Sequence, residues 1–79
     1  MYFVYAIKSK VDGRIYVGMT TNIERRVGEH NSGKTKSTKG YKPWELIYSI
    51  EVGEWKEARK KEIYLKSGFG KTFLKNLVP

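Results

Sequence analysis

The sequence predicts one small mixed α/β domain, and three features carry that prediction: a paired-strand opening, two helical stretches with marked ends, and an apolar run between them. Residues 2–7 and 14–18 are β-branched and aromatic runs. The segment between them contains Asp12-Gly13, a pair suited to a two-residue turn with positive φ. Such a turn places Ser9 opposite Tyr16 and Ile7 opposite Gly18. Because side chains alternate along a strand, Tyr5 and Tyr16 then project from one face. Thr21 followed by Glu24 forms a capping-box pattern for a first helix, which runs to residue 31 or 32 and stops at Gly33. Residues 34–43 are polar and basic and are expected to form a loop. Residues 46–50 are expected to form a third strand. A second helix is expected over residues 54–67, ended by Gly68. Residues 71–78 suit either a short last helix or an ordered tail. No internal repeat or low-complexity segment interrupts the chain.

With 79 residues, the chain is long enough for one domain, residues 1–79, and too short for two. Apolar residues at 39% and aromatics at 14% are the composition of a folded chain rather than a disordered one. Cysteine is absent, so the small core has neither disulfides nor a Cys-based zinc site to reinforce it. The first ten residues lack the basic start and cleavage site of a signal peptide and are expected to form a strand. No apolar stretch approaches the roughly 20 residues that cross a bilayer, so the expectation is a soluble cytoplasmic protein that does not enter the membrane. The formal charge of +8 favours a polyanionic partner, nucleic acid first among them, although a basic surface also serves solubility.

Polar residues fall where apolar ones are expected. At 100° per residue, Ile23 and Val27 mark the buried stripe of the first helix, and Arg26 and His30 lie on the same side, one turn apart. Arg25 points away. In the second helix Trp55, Ala58, Leu65 and Phe69 follow a three-four spacing whose missing member is Glu62. Burying a carboxylate without a partner is costly, so Glu62 calls for a metal, a cation or donors beside it. The simpler alternative is a Glu at the core's edge, paired with Arg26 or Arg59 or reaching water. His30 has the pKa range of a general acid or base, and the tyrosines could equally be cross-strand packing.

Taken together, Phe3-Val4-Tyr5, Tyr16-Val17-Gly18, the run from Asn22 to Gly33, Lys42-Pro43-Trp44-Glu45-Leu46-Ile47-Tyr48 and the run from Glu57 to Lys66 resemble the GIY-YIG nuclease domain. The likeness is greatest to the short stand-alone bacterial members, and extends to the nuclease domain of the excision-repair incision subunit. It covers nearly the whole chain. The first triplet is Phe-Val-Tyr rather than Gly-Ile-Tyr and the second is Tyr-Val-Gly rather than Tyr-Ile-Gly, but both tyrosines are kept.

The resemblance implies an α/β (α+β) fold with a three-stranded antiparallel sheet flanked by helices. It also implies hydrolysis of a DNA phosphodiester with one divalent ion, Mg2+ or Mn2+. On that reading Tyr5, Tyr16, Arg26, His30 and Glu62 are the catalytic set. Glu62 is the single protein ligand of the metal, Arg26 holds the scissile phosphate, and the tyrosines orient or deprotonate water with help from His30. Asn31, Lys34, Lys36, Lys39 and Lys42 are expected to contact DNA phosphates rather than bases. Two rivals remain: an inactive nucleic-acid-binding module of the same fold, and an interaction domain using Trp44, Trp55 and the C-terminal tail. A protein partner or homodimer is compatible with all three.

Overall fold

The computed structural model describes residues 1–77. Its elements, in order, are β1 (Tyr2–Ser9), β2 (Ile15–Thr20), α1 (Ile23–Ser32), a 3-10 turn (Lys39–Tyr41), β3 (Trp44–Val52), α2 (Trp55–Lys66) and α3 (Gly68–Leu77). The three strands form one antiparallel sheet in the order β2-β1-β3. The predicted three-stranded sheet flanked by helices is therefore present. The end of the predicted last segment, Val78, lies outside the described residues.

The central strand explains the two-sided architecture. Val4, Tyr5, Ala6 and Ile7 are all essentially inaccessible, an unbroken apolar run of the kind expected when both faces of a strand are covered. Even-numbered Val4 and Ala6 join Val17 and meet Ala58 and Leu65 of α2 and Leu74 of α3. Odd-numbered Tyr5 and Ile7 face the other way, where Trp44, Tyr16, Tyr41 and the Ile23 and Val27 stripe of α1 complete a second cluster. Period-two alternation thus distributes one strand between two small cores.

The hairpin departs from the tight turn expected of Asp12-Gly13. Pairing ends at Lys8 opposite Ile15, so Ile7 faces Tyr16 and Tyr5 faces Gly18, a register two residues away from the expected one. Ser9 is the reason. Its carbonyl accepts from the Gly13 amide and its own amide donates to the Arg14 carbonyl, both at 2.9 Å. Its hydroxyl accepts from the Val11 amide at 3.0 Å and donates to the Tyr41 carbonyl at 2.6 Å. Gly13 does take positive φ, at 78°, but inside this wider connection. A shift of two residues preserves faces, so Tyr5 and Tyr16 still share one.

Other boundaries also move. Asn22, not Thr21, caps α1, its side-chain oxygen accepting from the Arg25 amide at 3.0 Å. Glu24 is then one position too early for a reciprocal box and sits in the first turn, where the helix dipole favours it. Gly33 ends the helix as expected, with φ of 82°. In α2 the expected stripe is only partly buried: Ala58, Glu62 and Leu65 are covered, but Trp55 is 53% and Phe69 82% exposed. Trp55 is the first residue of its helix, past the packed face. Phe69 belongs to α3, a new helix with its own periodicity. That helix crosses the end of α2 closely enough that any side chain at Gly70 would collide with the Tyr64 carbonyl and the Leu65 backbone.

Candidate active site

The shared face of β1 and β2 brings Tyr5 and Tyr16 together with ring centroids 6.5 Å apart. The Tyr5 ring lies over Gly18, its cross-strand partner. A β-carbon there would come within 2.7 Å of the Tyr5 hydroxyl oxygen. The glycine of the Tyr-Val-Gly triplet therefore makes room for the other triplet's tyrosine.

α1 delivers His30 onto this pair. His30 is fully buried, with its ring 5.9 Å from that of Tyr5 and 5.0 Å, edge-on, from that of Tyr16. Trp44 closes the cluster at 6.4 Å from Tyr16 and 6.5 Å from His30. Both imidazole nitrogens are engaged: Nε2 lies 2.8 Å from the Tyr5 hydroxyl and Nδ1 lies 2.7 Å from the Thr38 hydroxyl. Thr38 is itself buried, and its hydroxyl also reaches the Thr35 carbonyl at 3.4 Å. Burial, followed by the Arg26 charge, holds the His30 pKa below its ordinary value. Burial likewise pushes Tyr5 up to about 12. At neutral pH this is a neutral imidazole beside a protonated phenol. One arrangement satisfies every group: Tyr5 donates to Nε2, Nδ1–H donates to Thr38, and Thr38 donates to the Thr35 carbonyl.

Arg26 is the cation of the site. Its side chain is 32% exposed and donates to Glu29 at 2.9 Å. The Glu29 bond raises the Arg26 pKa, and Arg26 in turn holds Glu29 below the usual carboxylate range. Arg25, as expected, points outward and is 62% exposed.

Glu62 approaches from α2, on the other side of the sheet. The residue is only 7% exposed. Its oxygens are paired with Arg59 and, at 3.4 Å, with Lys66, and no contact with Arg26 is formed. Among the described residues no group of three or more His, Cys, Asp and Glu converges on one point. A divalent ion at Glu62 thus has one carboxylate to use. That donor set suits magnesium or manganese, which retain several waters and take further oxygens from phosphate. Arg59 and Lys66, the partners of that carboxylate, are each about half exposed.

Of the five predicted catalytic positions, Tyr5, Tyr16 and His30 form one cluster in which Tyr5 and His30 are sealed inside. Arg26 stands one turn before His30 on α1, and Glu62 is buried on α2 with Arg59 and Lys66 as its partners. The expected phosphate contacts also divide. Lys34, Lys36, Lys39 and Lys42 are exposed. Asn31 is committed elsewhere, because its carboxamide accepts from the Trp44 amide at 2.5 Å and donates to the Trp44 carbonyl at 3.1 Å. Asn31 thereby clamps the start of β3 onto α1. Sequence reasoning missed Thr38, which reads there as one polar loop residue among several. It also missed the steric role of Gly18, which only the pairing register reveals.

Comparison with known proteins agrees with this architecture. The family model for the GIY-YIG catalytic domain matches residues 1–76. The chain is 39% identical over 67 residues to the UPF0213 protein SH2523 of Staphylococcus haemolyticus, covering 84% of this chain and 80% of that one. It is 41% identical over 54 residues to the human structure-specific endonuclease subunit SLX1, covering 63% of this chain and 20% of that relative. The solution NMR structure of the UPF0213 protein BH0048 from Bacillus halodurans superposes with a TM-score of 0.58 at 35% identity, covering 99% of this chain and 86% of that one. The chain belongs to the GIY-YIG family.

Proposed function

We propose that the protein is a metal-dependent endonuclease that hydrolyses phosphodiester bonds in DNA, acting in DNA repair, recombination or processing in the cytoplasm. The observation that carries this reading is the packing of Tyr5, Tyr16 and His30 into one cluster, with Arg26 one helical turn before His30, in a chain that matches the GIY-YIG catalytic domain over residues 1–76. In the reaction a water oxygen bonds to phosphorus and the bond from phosphorus to a sugar oxygen breaks. The proton lost by the water is made up, through solvent, on the departing sugar oxygen. Arg26 offers a planar donor fork to the phosphate oxygens, on which negative charge accumulates as the water attacks. Tyr16 orients the water. Tyr5 is a poor proton acceptor at neutral pH, with its pKa near 12 and its hydroxyl engaged by His30. We therefore assign Tyr5 and His30 as positioning residues, which hold Tyr16 and Arg26 in place from inside. Glu62 would hold the divalent ion, Mg2+ or Mn2+, which when bound supplies positive charge that polarises the phosphoryl oxygens.

One observation favours a second reading, an inactive nucleic-acid-binding module: both oxygens of Glu62 are occupied by Arg59 and Lys66. The likeness to a protein described as a subunit of a structure-specific endonuclease extends the main proposal to recognition of DNA structure and to a protein partner. Incubating the protein with labelled single-stranded, duplex and branched DNA, with manganese, magnesium or chelator, separates the readings. Metal-dependent cutting of any of these supports the nuclease. Binding without cutting on all of them supports the inactive module.

A further inference from the structure

Beside Tyr16 the outer edge of β2 is not flush with the helices. A cavity of about 290 Å³ lies between Ile15 to Val17 and the α2–α3 junction, where Leu65, Lys66 and Lys71 line it. A second cavity of about 220 Å³ continues past Ile15 and Lys71 to Arg14 and Lys75. Since the two share Ile15 and Lys71, they form one groove along the free edge of the sheet.

The charge of this groove has one sign. Its ionisable walls are Arg14, Lys66, Lys71 and Lys75, with no carboxylate among them. The larger cavity between the end of β3 and α2, by contrast, mixes Glu51 and Glu57 with Lys60 and Lys61. Two of the groove's cations are already engaged: Arg14 with Asp12 at 2.7 Å, and Lys66 with Glu62. Among the described residues Lys71 and Lys75 have no acidic partner. They lie one turn apart on α3, about 6 Å along its axis, a spacing comparable with one nucleotide step of an extended strand. From Ile63 to Leu77 the chain carries no acid at all. The groove also begins at the site, because Lys66 both lines it and touches Glu62. An edge strand adds unpaired backbone donors along its floor.

We propose that this groove carries the sugar–phosphate backbone of the nucleic-acid strand leading away from the scissile phosphate, with Lys71 and Lys75 as its phosphate contacts. The assignment rests on the nuclease reading above and places a second basic track on the side of the sheet opposite the Lys34–Lys42 segment. The strand passes the edge of β2 at Tyr16 with cations on both sides of the bond to be cut.

The test measures binding of fluorescein-labelled single-stranded and duplex DNA by anisotropy, in chelator, over a range of KCl concentrations. It uses the wild type, the double variant Lys71→Gln/Lys75→Gln, its counterpart Lys71→Arg/Lys75→Arg, and Lys56→Gln/Lys60→Gln, which removes the same charge elsewhere. Each lost phosphate contact lowers the slope of log K against log salt by about 0.7 to 0.9. The groove double variant should therefore lose about 1.4 to 1.8 of slope and, at 0.1 M salt, about 25- to 60-fold in affinity. The arginine pair should retain both. Binding by the groove variant equal to wild type, or reduced only as much as by the α2 variant, overturns the track and leaves the nuclease reading standing. A wild type that binds neither DNA in chelator, and cuts neither when manganese replaces the chelator, overturns both.

Discussion

Gly18 offers a sharp test of how the site is built. In Gly18→Ala the new methyl carbon would lie 2.7 Å from the Tyr5 oxygen, 2.9 Å from Cζ and 3.1 Å from Cε1. Ordinary carbon contacts begin near about 3.5 Å, so the ring must retreat by roughly 0.8 Å. The ring is 1% exposed and its hydroxyl is 2.8 Å from His30, so it has no free direction in which to swing. Overpacking costs about 1–3 kcal/mol, and losing the bond to a buried partner about another 1 kcal/mol. The reduced entropy of the unfolded alanine chain returns about 0.4–1 kcal/mol. The net loss is about 1–3.6 kcal/mol, which in a domain of this size lowers Tm by roughly 4–29 °C. Urea unfolding and thermal melts measure this directly. Because Tyr5→Phe removes the nearest clashing atom, the double variant should be about 1 kcal/mol more stable than the sum of the two single losses predicts. A Gly18→Ala protein within about 0.5 kcal/mol of wild type would refute the argument that this glycine exists to seat Tyr5.

Three further outcomes are expected. Asn31→Ala removes both bonds that clamp Trp44 and should cost about 1–3 kcal/mol in denaturant unfolding, which a mere phosphate contact would not. The folded His30 pKa is depressed, so its contribution to stability is full above the unfolded value near about 6.5 and is lost as pH falls through the folded value. Urea midpoints measured from pH 8 to pH 4.5 should fall with acid, and His30→Gln should flatten that part of the curve. Arg26→Lys keeps the charge but loses the planar fork; cleavage should drop about a hundredfold while DNA affinity at moderate salt changes little, as read by kcat beside anisotropy.

What was legible in the sequence was whatever depends on parity and periodicity. The common face of Tyr5 and Tyr16 survived a two-residue register error because faces repeat every two residues. The 3.6-residue period puts His30 on the inner side of α1, where it is buried, and Glu62 stands out as a carboxylate between buried Ala58 and Leu65, while Arg26 is one third exposed. What was not legible depends on long-range partners. Ser9 reshapes the hairpin by reaching Tyr41, 32 positions away, and no local turn preference contains that contact. Asn31 looks like a helix-end polar residue until β3 arrives to bond it. Thr38 gains meaning only from the imidazole above it. The stripe through Trp55 and Phe69 failed because periodicity identifies a helix face but does not say where the sheet beneath it ends. Lys66, Lys71 and Lys75 gain a common direction only when α3 packs beside β2 and the groove forms.

The central claim, that Glu62 and its neighbours form a hydrolytic site, is tested most directly by comparing wild type with Glu62→Ala on labelled single-stranded, duplex and branched DNA in manganese or magnesium. Circular dichroism and anisotropy in chelator provide the folding and binding controls. Partners of Glu62 that are half exposed should keep the stability change within about 1 kcal/mol. The account predicts metal-dependent nicking by wild type and its loss in a folded Glu62→Ala protein that still binds DNA. Cutting by Glu62→Ala at the wild-type rate would contradict it.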